Sequence, residues 1–243
     1  MAGLLDQVLE AHGGRERWAA ARRIAARVRS GGLLVRTRFP GRGRTDYRIE
    51  AEVGAATATA TPFPQPGRRG VFDRGEARIE TEGGELIETR SDPRSHFFGR
   101  AGLRRNLRWD PLDATYFAGY ALWNYLNTPY LLAREDVRTR ELEPWDAGGR
   151  RWRRLAADFP PALHTHSPAQ VFYFDERGLL RRHDYVAEVV GGWARAAHMC
   201  DEHVEAGGLV FPTRRWVRPR GPADRALPGP TLVSLAISEL EVG

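Results

Sequence analysis

Glycine-bearing punctuation recurs along this chain at hairpin spacing, and it limits the fold more than any other feature. The runs "TEGGEL", "DAGGR", "DERG", "VVGGW" and "EAGGL" each separate segments in which β-branched or aromatic residues alternate with polar ones. Such glycines supply the positive φ that tight reversals need, so each break predicts an antiparallel connection. Before residue 91 the predicted strands are Ile24–Phe39, Arg44–Val53, Thr57–Thr61, Gly70–Arg74, Ala77–Glu82 and Glu85–Arg90. Later ones are Val137–Trp145, Arg151–Phe159, Ala169–Phe174, Leu179–Val189, Trp193–Val204, Leu209–Arg218 and Thr231–Val242. Without repeat, linker or low-complexity tail, the pattern predicts one domain over residues 1–243.

Two stretches break the alternation. Leu4, Leu5, Val8 and Leu9 form a helical stripe, Gly13-Gly14 interrupts it, and "RERWAAARR" continues it. The segment "DPLDATYFAGYALWNYLNTPYLLARED" also has helical periodicity, with Pro129 predicted to end it near Asn127. At about 100° per residue, Tyr116, Phe117, Tyr120 and Trp123 share one side with Asp113, Asn124 and Asn127. Broad aromatic surface with a few orienting polar groups suits a cavity wall; aromatics packed on a sheet with the polar groups at its rim would read the same way.

The later hairpins fix faces. A two-residue turn at Gly191-Gly192 places Tyr185 opposite His198 and His183 opposite Cys200. The turn at Gly207-Gly208 places Cys200 opposite Arg215, His198 opposite Val217 and Val204 opposite Phe211. The "ERG" turn sets Phe174 beside Leu179, Phe172 beside Arg181 and Gln170 beside His183. Alternation then gives an interior face with Phe172, Phe174, Tyr185, Val204, Phe211 and Val217, and with His183, His198, Cys200, Gln170 and Arg215 among them. The other face carries Arg182, Asp184, Asp201 and Arg214, with Asp201–Arg214 expected as a surface ion pair. Buried imidazole, amide and guanidinium groups must satisfy one another, as Arg181 with Glu202 would, or meet a ligand.

Composition narrows the function. All 37 basic residues are arginine, which removes lysine chemistry, and the net charge is +6. These arginines are interleaved with acids along the whole chain, so a mixed-charge surface is expected rather than a nucleic-acid face. A single cysteine, Cys200, excludes an intrachain disulfide and accords with a reducing compartment. No run approaches a membrane span, and the N-terminus lacks the basic start and long apolar run of a secretion signal. A cytoplasmic protein is the expectation.

"VLEAHGGRERWAAARRIAARVRSGGLL", "DAGGRRWRRLAADFP", "FYFDERGLLRRHDYVAE" and "HVEAGGLVFPTRRWV" together resemble, in order and pattern, the LolA/LolB-like (lipoprotein-localisation-factor-like) superfamily. The resemblance implies a mainly β (α+β) fold: a single curved, unclosed antiparallel half-barrel of about ten or more strands. Its N-terminal helix and central aromatic helix would cover the concave face, enclosing a hydrophobic cavity that holds acyl chains or similar ligands. Lipoprotein chaperones of that superfamily work in the periplasm and carry signal sequences and, in part, a lipobox cysteine. This chain shows neither, so the shape carries over and the transport activity does not.

On this reading the protein binds a hydrophobic small molecule or lipid-like ligand between sheet and central helix. The ligand-binding residues are Tyr116, Phe117, Tyr120, Trp123, Asn124, Asn127, Gln170, Phe172, Phe174, Cys200 and Arg215. The alternative is a cofactor-free isomerase, cyclase or hydrolase in which His183 and His198 act as acid and base and Tyr185 as donor. A half-barrel docking another protein by its rim is a third class. The pair His164 and His166 is Pro-flanked without a carboxylate at ligand spacing, so no metal is expected. Cys200 has no visible oxyanion hole, and no dinucleotide or phosphate loop appears, so no cofactor is expected.

Overall fold

The computed structural model describes residues 3–40, 45–105, 107–146 and 148–243. Helices α1 (Leu4–Ala11) and α2 (Arg15–Ala20) open the chain, parted by Gly13 and Gly14 as the sequence predicts. The first meander runs β1 (Arg23–Gly31), β2 (Thr45–Glu52), β3 (Thr57–Thr61), β4 (Arg68–Asp73), β5 (Glu76–Thr81) and β6 (Leu86–Arg90), with a short helix α3 (Leu33–Arg38) after β1. The second runs β7 (Arg138–Asp146), β8 (Arg151–Asp158), β9 (Ala169–Phe174), β10 (Leu180–Val186), β11 (Arg195–Ala206), β12 (Leu209–Pro219) and β13 (Val233–Val242).

Among the described residues these thirteen strands form one antiparallel sheet, ordered β6-β5-β4-β3-β2-β1-β13-β12-β11-β10-β9-β8-β7. First and last strands are therefore partners, Val28 opposite Ile237, with one meander on each side. Strands β6 and β7 remain as edges, so the sheet is an unclosed half-barrel.

The chain must cross from one edge to the other, and the crossing carries α4 (Gly99–Arg105) and α5 (Pro111–Asn127). The sequence pattern gives no signal for α4. Asp110 caps α5 by accepting from the Asp113 N–H at 2.8 Å, and Asp113 accepts in return from the Asp110 N–H at 3.3 Å. Arg90, at the end of edge strand β6, donates to both carboxylates at 2.8 and 2.7 Å, fixing the helix start to the sheet. Glycine permits the close seat: a Cβ on Gly119 would lie 2.2 Å from Cβ of Phe72 on β4. Every residue of α5 from Leu112 to Asn127 is buried. The helix thus fills the bowl, where sequence periodicity predicted one packed side and one cavity-facing side. The physical reason is that strands β2 to β6 hold the helix along its length, while the 164–166 segment and the side chains of Tyr185 and Arg215 close over its other side. The void beside Tyr47, Ala121, Tyr125 and Leu235 measures about 20 Å³.

Other expectations are corrected. The strand Ile24–Phe39 is interrupted after Gly31, because Gly32 adopts φ of 104° and turns the chain into α3. The predicted strand start at Arg44 falls in residues 41–44, and the "DAGGR" turn includes residue 147, all outside the described residues. The Gly207-Gly208 hairpin has the predicted register, Cys200 opposite Arg215 and His198 opposite Val217. At Gly191-Gly192 the register is displaced by two: His183 lies opposite His198, and Tyr185 opposite Ala196. Residues 187–194 form a compact loop instead of a two-residue turn, Ala187 N–H donating to Ala194 at 2.9 Å. An irregularity after Leu180 likewise moves Phe172 opposite His183. Both displacements are even, so the faces survive.

Near Glu202 the alternation fails, since that residue adopts φ of 53°. Its side chain turns to Arg214 at 3.0 Å, Arg181 pairs with Asp201 at 2.9 Å, and Val204 is left 47% exposed. Arg182 and Asp184, predicted to face solvent, are each 1% exposed. The guanidinium of Arg182 lies between the rings of Trp145 and Tyr173, at 4.9 and 4.8 Å, and donates to the carbonyl of Asp224. Edge strand β7 and the loop between β12 and β13 thus cover part of the outer face.

Candidate functional site

Where α5 stops covering the concave face, a cleft of about 260 Å³ opens. Leu33 and Leu34 of α3 form one wall, and Val190 and Trp193 of the loop between β10 and β11 form the other. The sheet contributes Tyr185, Ala196 and Val217, an apolar cluster separate from the main core. Phe117 and His166 close the floor. Trp193 stands 73% exposed at the mouth. Arg38, Arg195 and Arg220 are the charged residues of the lining.

Behind this floor lies a hydrogen-bonded ring network. The Tyr116 hydroxyl meets His164 Nδ1 at 2.8 Å, and that of Tyr120 meets His166 Nδ1 at 3.1 Å. Residues four apart on a helix and two apart on an extended segment have similar spacing, so two successive pairs form. The Tyr125 hydroxyl reaches His166 Nε2 at 2.7 Å and the Tyr185 hydroxyl at 3.3 Å, and Tyr185 continues to His198 Nδ1 at 3.3 Å. His183 Nε2 pairs with Gln170 Oε1, and its ring stacks on Phe172 at 4.2 Å. Arg215 donates to Cys200 Sγ at 3.3 Å and lies 4.9 Å from the centre of the Tyr125 ring.

Burial keeps the imidazoles, hydroxyls and thiol of the network uncharged. It holds the His166 imidazole down at about 3, and His183 and His198 well below the ordinary histidine value. It pushes the Tyr120 and Tyr185 hydroxyls well above the usual tyrosine range, and raises the Cys200 thiol. A neutral imidazole has one donor and one acceptor, so one of Tyr120 and Tyr125 donates to His166 while the other accepts from it. His198 Nε2 is buried without a hydrogen-bond partner among the described residues.

The sequence-derived residues therefore separate into two groups. Phe117 and Tyr185 border the cleft. His183 and His198 share the interior face, as the alternation predicts, and the displaced register sets them opposite each other; at 3% and 1% exposure they lie behind Tyr185 and His166. Tyr116, Tyr120, Phe172, Phe174, Gln170, Cys200 and Arg215 are packed into the interior. Trp123 Nε1 donates to the Glu52 carbonyl at 2.9 Å, Asn124 to that of His164 at 2.8 Å, and Asn127 to that of Trp123 at 2.9 Å. These groups are occupied by backbone, not by an open pocket. His166 was missed, because Pro-flanked histidines read as surface; the matched Tyr116/Tyr120 and His164/His166 spacings were the available signal. Among the described residues no group of histidine, cysteine and acidic side chains is placed to hold a metal.

No family model matches the chain, and no curated protein matches it. Solved structures do. A LolA superfamily protein from Nitrosomonas europaea superposes with a TM-score of 0.56 at 10% identity, covering 100% of this chain and 94% of that one. A DUF1329 family protein from Desulfovibrio piger gives 0.55 at 11% identity, with 98% and 91% covered. A putative outer membrane lipoprotein-sorting protein domain from Vibrio parahaemolyticus gives 0.52 at 10% identity, with 93% and 89% covered. The chain has a LolA-like fold. At such identity the likeness is one of fold; function must come from the site.

Proposed function

We propose that this protein binds a hydrophobic small molecule or lipid-like ligand in the cleft between α3, the 187–194 loop and the end of the concave face. One observation carries the reading: an open, mainly apolar cleft of about 260 Å³ whose floor is a rigid aromatic network and whose mouth exposes Trp193. The fold shared with the Vibrio lipoprotein-sorting protein domain accords with a lipid-like ligand. Predicted catalytic residues are only partly present at the cleft, since Tyr185 borders it while His183 and His198 do not, so binding is favoured over turnover. Surface arginines paired with acids, such as Arg27 with Asp46 at 2.8 Å and Arg48 with Glu241 at 2.6 Å, support a partner other than nucleic acid. Among the described residues no helix is long and apolar enough to cross a membrane. A cytoplasmic workplace belongs to the same proposal, supported by one buried cysteine and tested by cell fractionation.

Native mass spectrometry of protein from its own host tests the reading, with Ala196→Trp, which fills the cleft, as comparison. A bound apolar species in the parent and none in the variant is expected. Equal occupancy in both would place the ligand elsewhere, and an empty parent that also ignores added apolar probes would overturn the reading.

A further inference from the structure

The charges at the cleft mouth are unbalanced. Arg38, Arg195 and Arg220 line it, and no acidic side chain does. Just outside, Asp184 and Asp224 are shared among Arg182, Arg195 and Arg220: Arg182 to Asp184 at 2.6 Å, Arg220 to Asp184 and Asp224 at 3.4 and 3.3 Å, and Arg195 to Asp224 at 3.7 Å. Three guanidiniums against two carboxylates leave one positive charge over. Arg38 adds another. Its guanidinium donates to the Leu107 carbonyl at 3.3 Å, and among the described residues no acid lies within ion-pair distance. Arg220 Nε is also buried without a partner. An arginine beside an apolar wall, with donors to spare, suits a carboxylate or phosphate.

The size of the cleft limits the other end. About 260 Å³ lies below the usual range for drug-sized ligands, so one short chain or a small ring system fits and a two-chain lipid does not. Because Phe117 and Tyr185 are deep and the arginines are at the mouth, chain and head are ordered. We infer that the ligand is a single-chain amphiphile with an anionic head, its tail directed toward Phe117 and Tyr185 and its head held at Arg38. This inference rests on the proposed use of the cleft for binding.

The test compares decanoate, decyl phosphate, decanol and decyltrimethylammonium by isothermal titration at low salt, with tryptophan fluorescence of the parent and of Trp193→Phe in parallel. The anionic probes are expected to bind about tenfold tighter than decanol, as a charge-assisted hydrogen bond would give, and the cation weakest. Whichever anion binds tighter identifies the head as carboxylate or phosphate. Arg38→Gln is expected to remove most of the anion preference, bringing both anions close to decanol in the same variant, and Arg38→Lys to retain part of it. Equal binding of decanol and both anions, unaltered in Arg38→Gln, overturns the head assignment and leaves the cleft reading standing. Failure of all four probes to bind overturns the cleft reading with it.

Discussion

The ring of His166 lies flat on that of Tyr185, centroids 4.0 Å apart and planes 9° from parallel. Both side chains face the cleft on one side and the buried network on the other. The floor of the site and the polar core of the fold are therefore one structure. A change in the network alters the shape offered to a ligand.

His166→Phe should keep the stack and lose the hydrogen bonds. The buried Tyr120 hydroxyl would lose its imidazole partner, and that of Tyr125 would keep only the 3.3 Å contact to Tyr185. The expected cost is about 2–4 kcal/mol in urea unfolding, against about 1–2 kcal/mol for Tyr185→Phe, whose two hydrogen bonds, to Tyr125 and His198, are both long at 3.3 Å. A loss below that of Tyr185→Phe would show that the imidazole is dispensable to the fold.

How far the sequence could be read follows from which signals are local. The register of the Gly207-Gly208 hairpin was legible, since a two-residue turn dictates its own ladder, though the turn of the backbone at Glu202 was not. At Gly191-Gly192 the same signal misled by two residues, because Ala187–Ala194 closes its own loop before the ladder begins. The inward direction of His183, Tyr185 and His198 still came through, since an even displacement preserves faces. Burial of Arg182 and Asp184 was not legible. It depends on Trp145 and Asp224, which lie 37 and 40 positions from the nearer of the two, and no periodicity joins them. The cleft was invisible for a related reason: Leu33, Trp193 and Val217 converge only after the sheet curves.

Acid should destabilise the protein early. In the unfolded chain each histidine takes up its proton near 6.5, but in the fold burial holds His12 at about 4, His166 at about 3, and His183 and His198 well below their ordinary value. These are depressed folded values, so the stability is present above pH 6.5 and lost as pH falls toward the folded pKa values. Each buried histidine contributes a slope of up to about 1.4 kcal/mol per pH unit. Thermal melts should be flat from about pH 8 to 7 and fall steadily below about 6.5, with proton uptake on unfolding. Equal Tm at about pH 7 and pH 5 would mean that these imidazoles are not buried as described.

Helix propensity makes Gly119→Ala look favourable, by about 1 kcal/mol. Packing reverses the sign. The added methyl would meet Phe72 Cβ at 2.2 Å, with backbone of β4 at 3.5 Å behind it, so helix or strand must move. Net destabilisation of about 1–3 kcal/mol is expected in chemical unfolding, together with a weaker near-ultraviolet aromatic signal. A stabilised variant would show that α5 does not sit on β4 as closely as the structure places it.

The outer face makes the sharpest separation between a charge that is exposed and one that is held. Arg182 and Asp184 are shielded by Trp145, Tyr173 and the loop at Asp224, and Asp184 also receives the Tyr173 hydroxyl at 3.0 Å. Burial pushes the Asp184 carboxyl up, while its hydrogen bond to Arg182 and the charges of Arg182 and Arg220 pull it down. Arg182→Met removes the main counter-charge without opening a large hole, and should cost about 3–5 kcal/mol because an acid is left buried beside a single arginine. Asp184→Leu should cost a similar amount for the converse reason. The double variant should cost clearly less than the two added together, since each change removes the charge that the other leaves stranded. Additivity in that cycle would mean that the two side chains act independently.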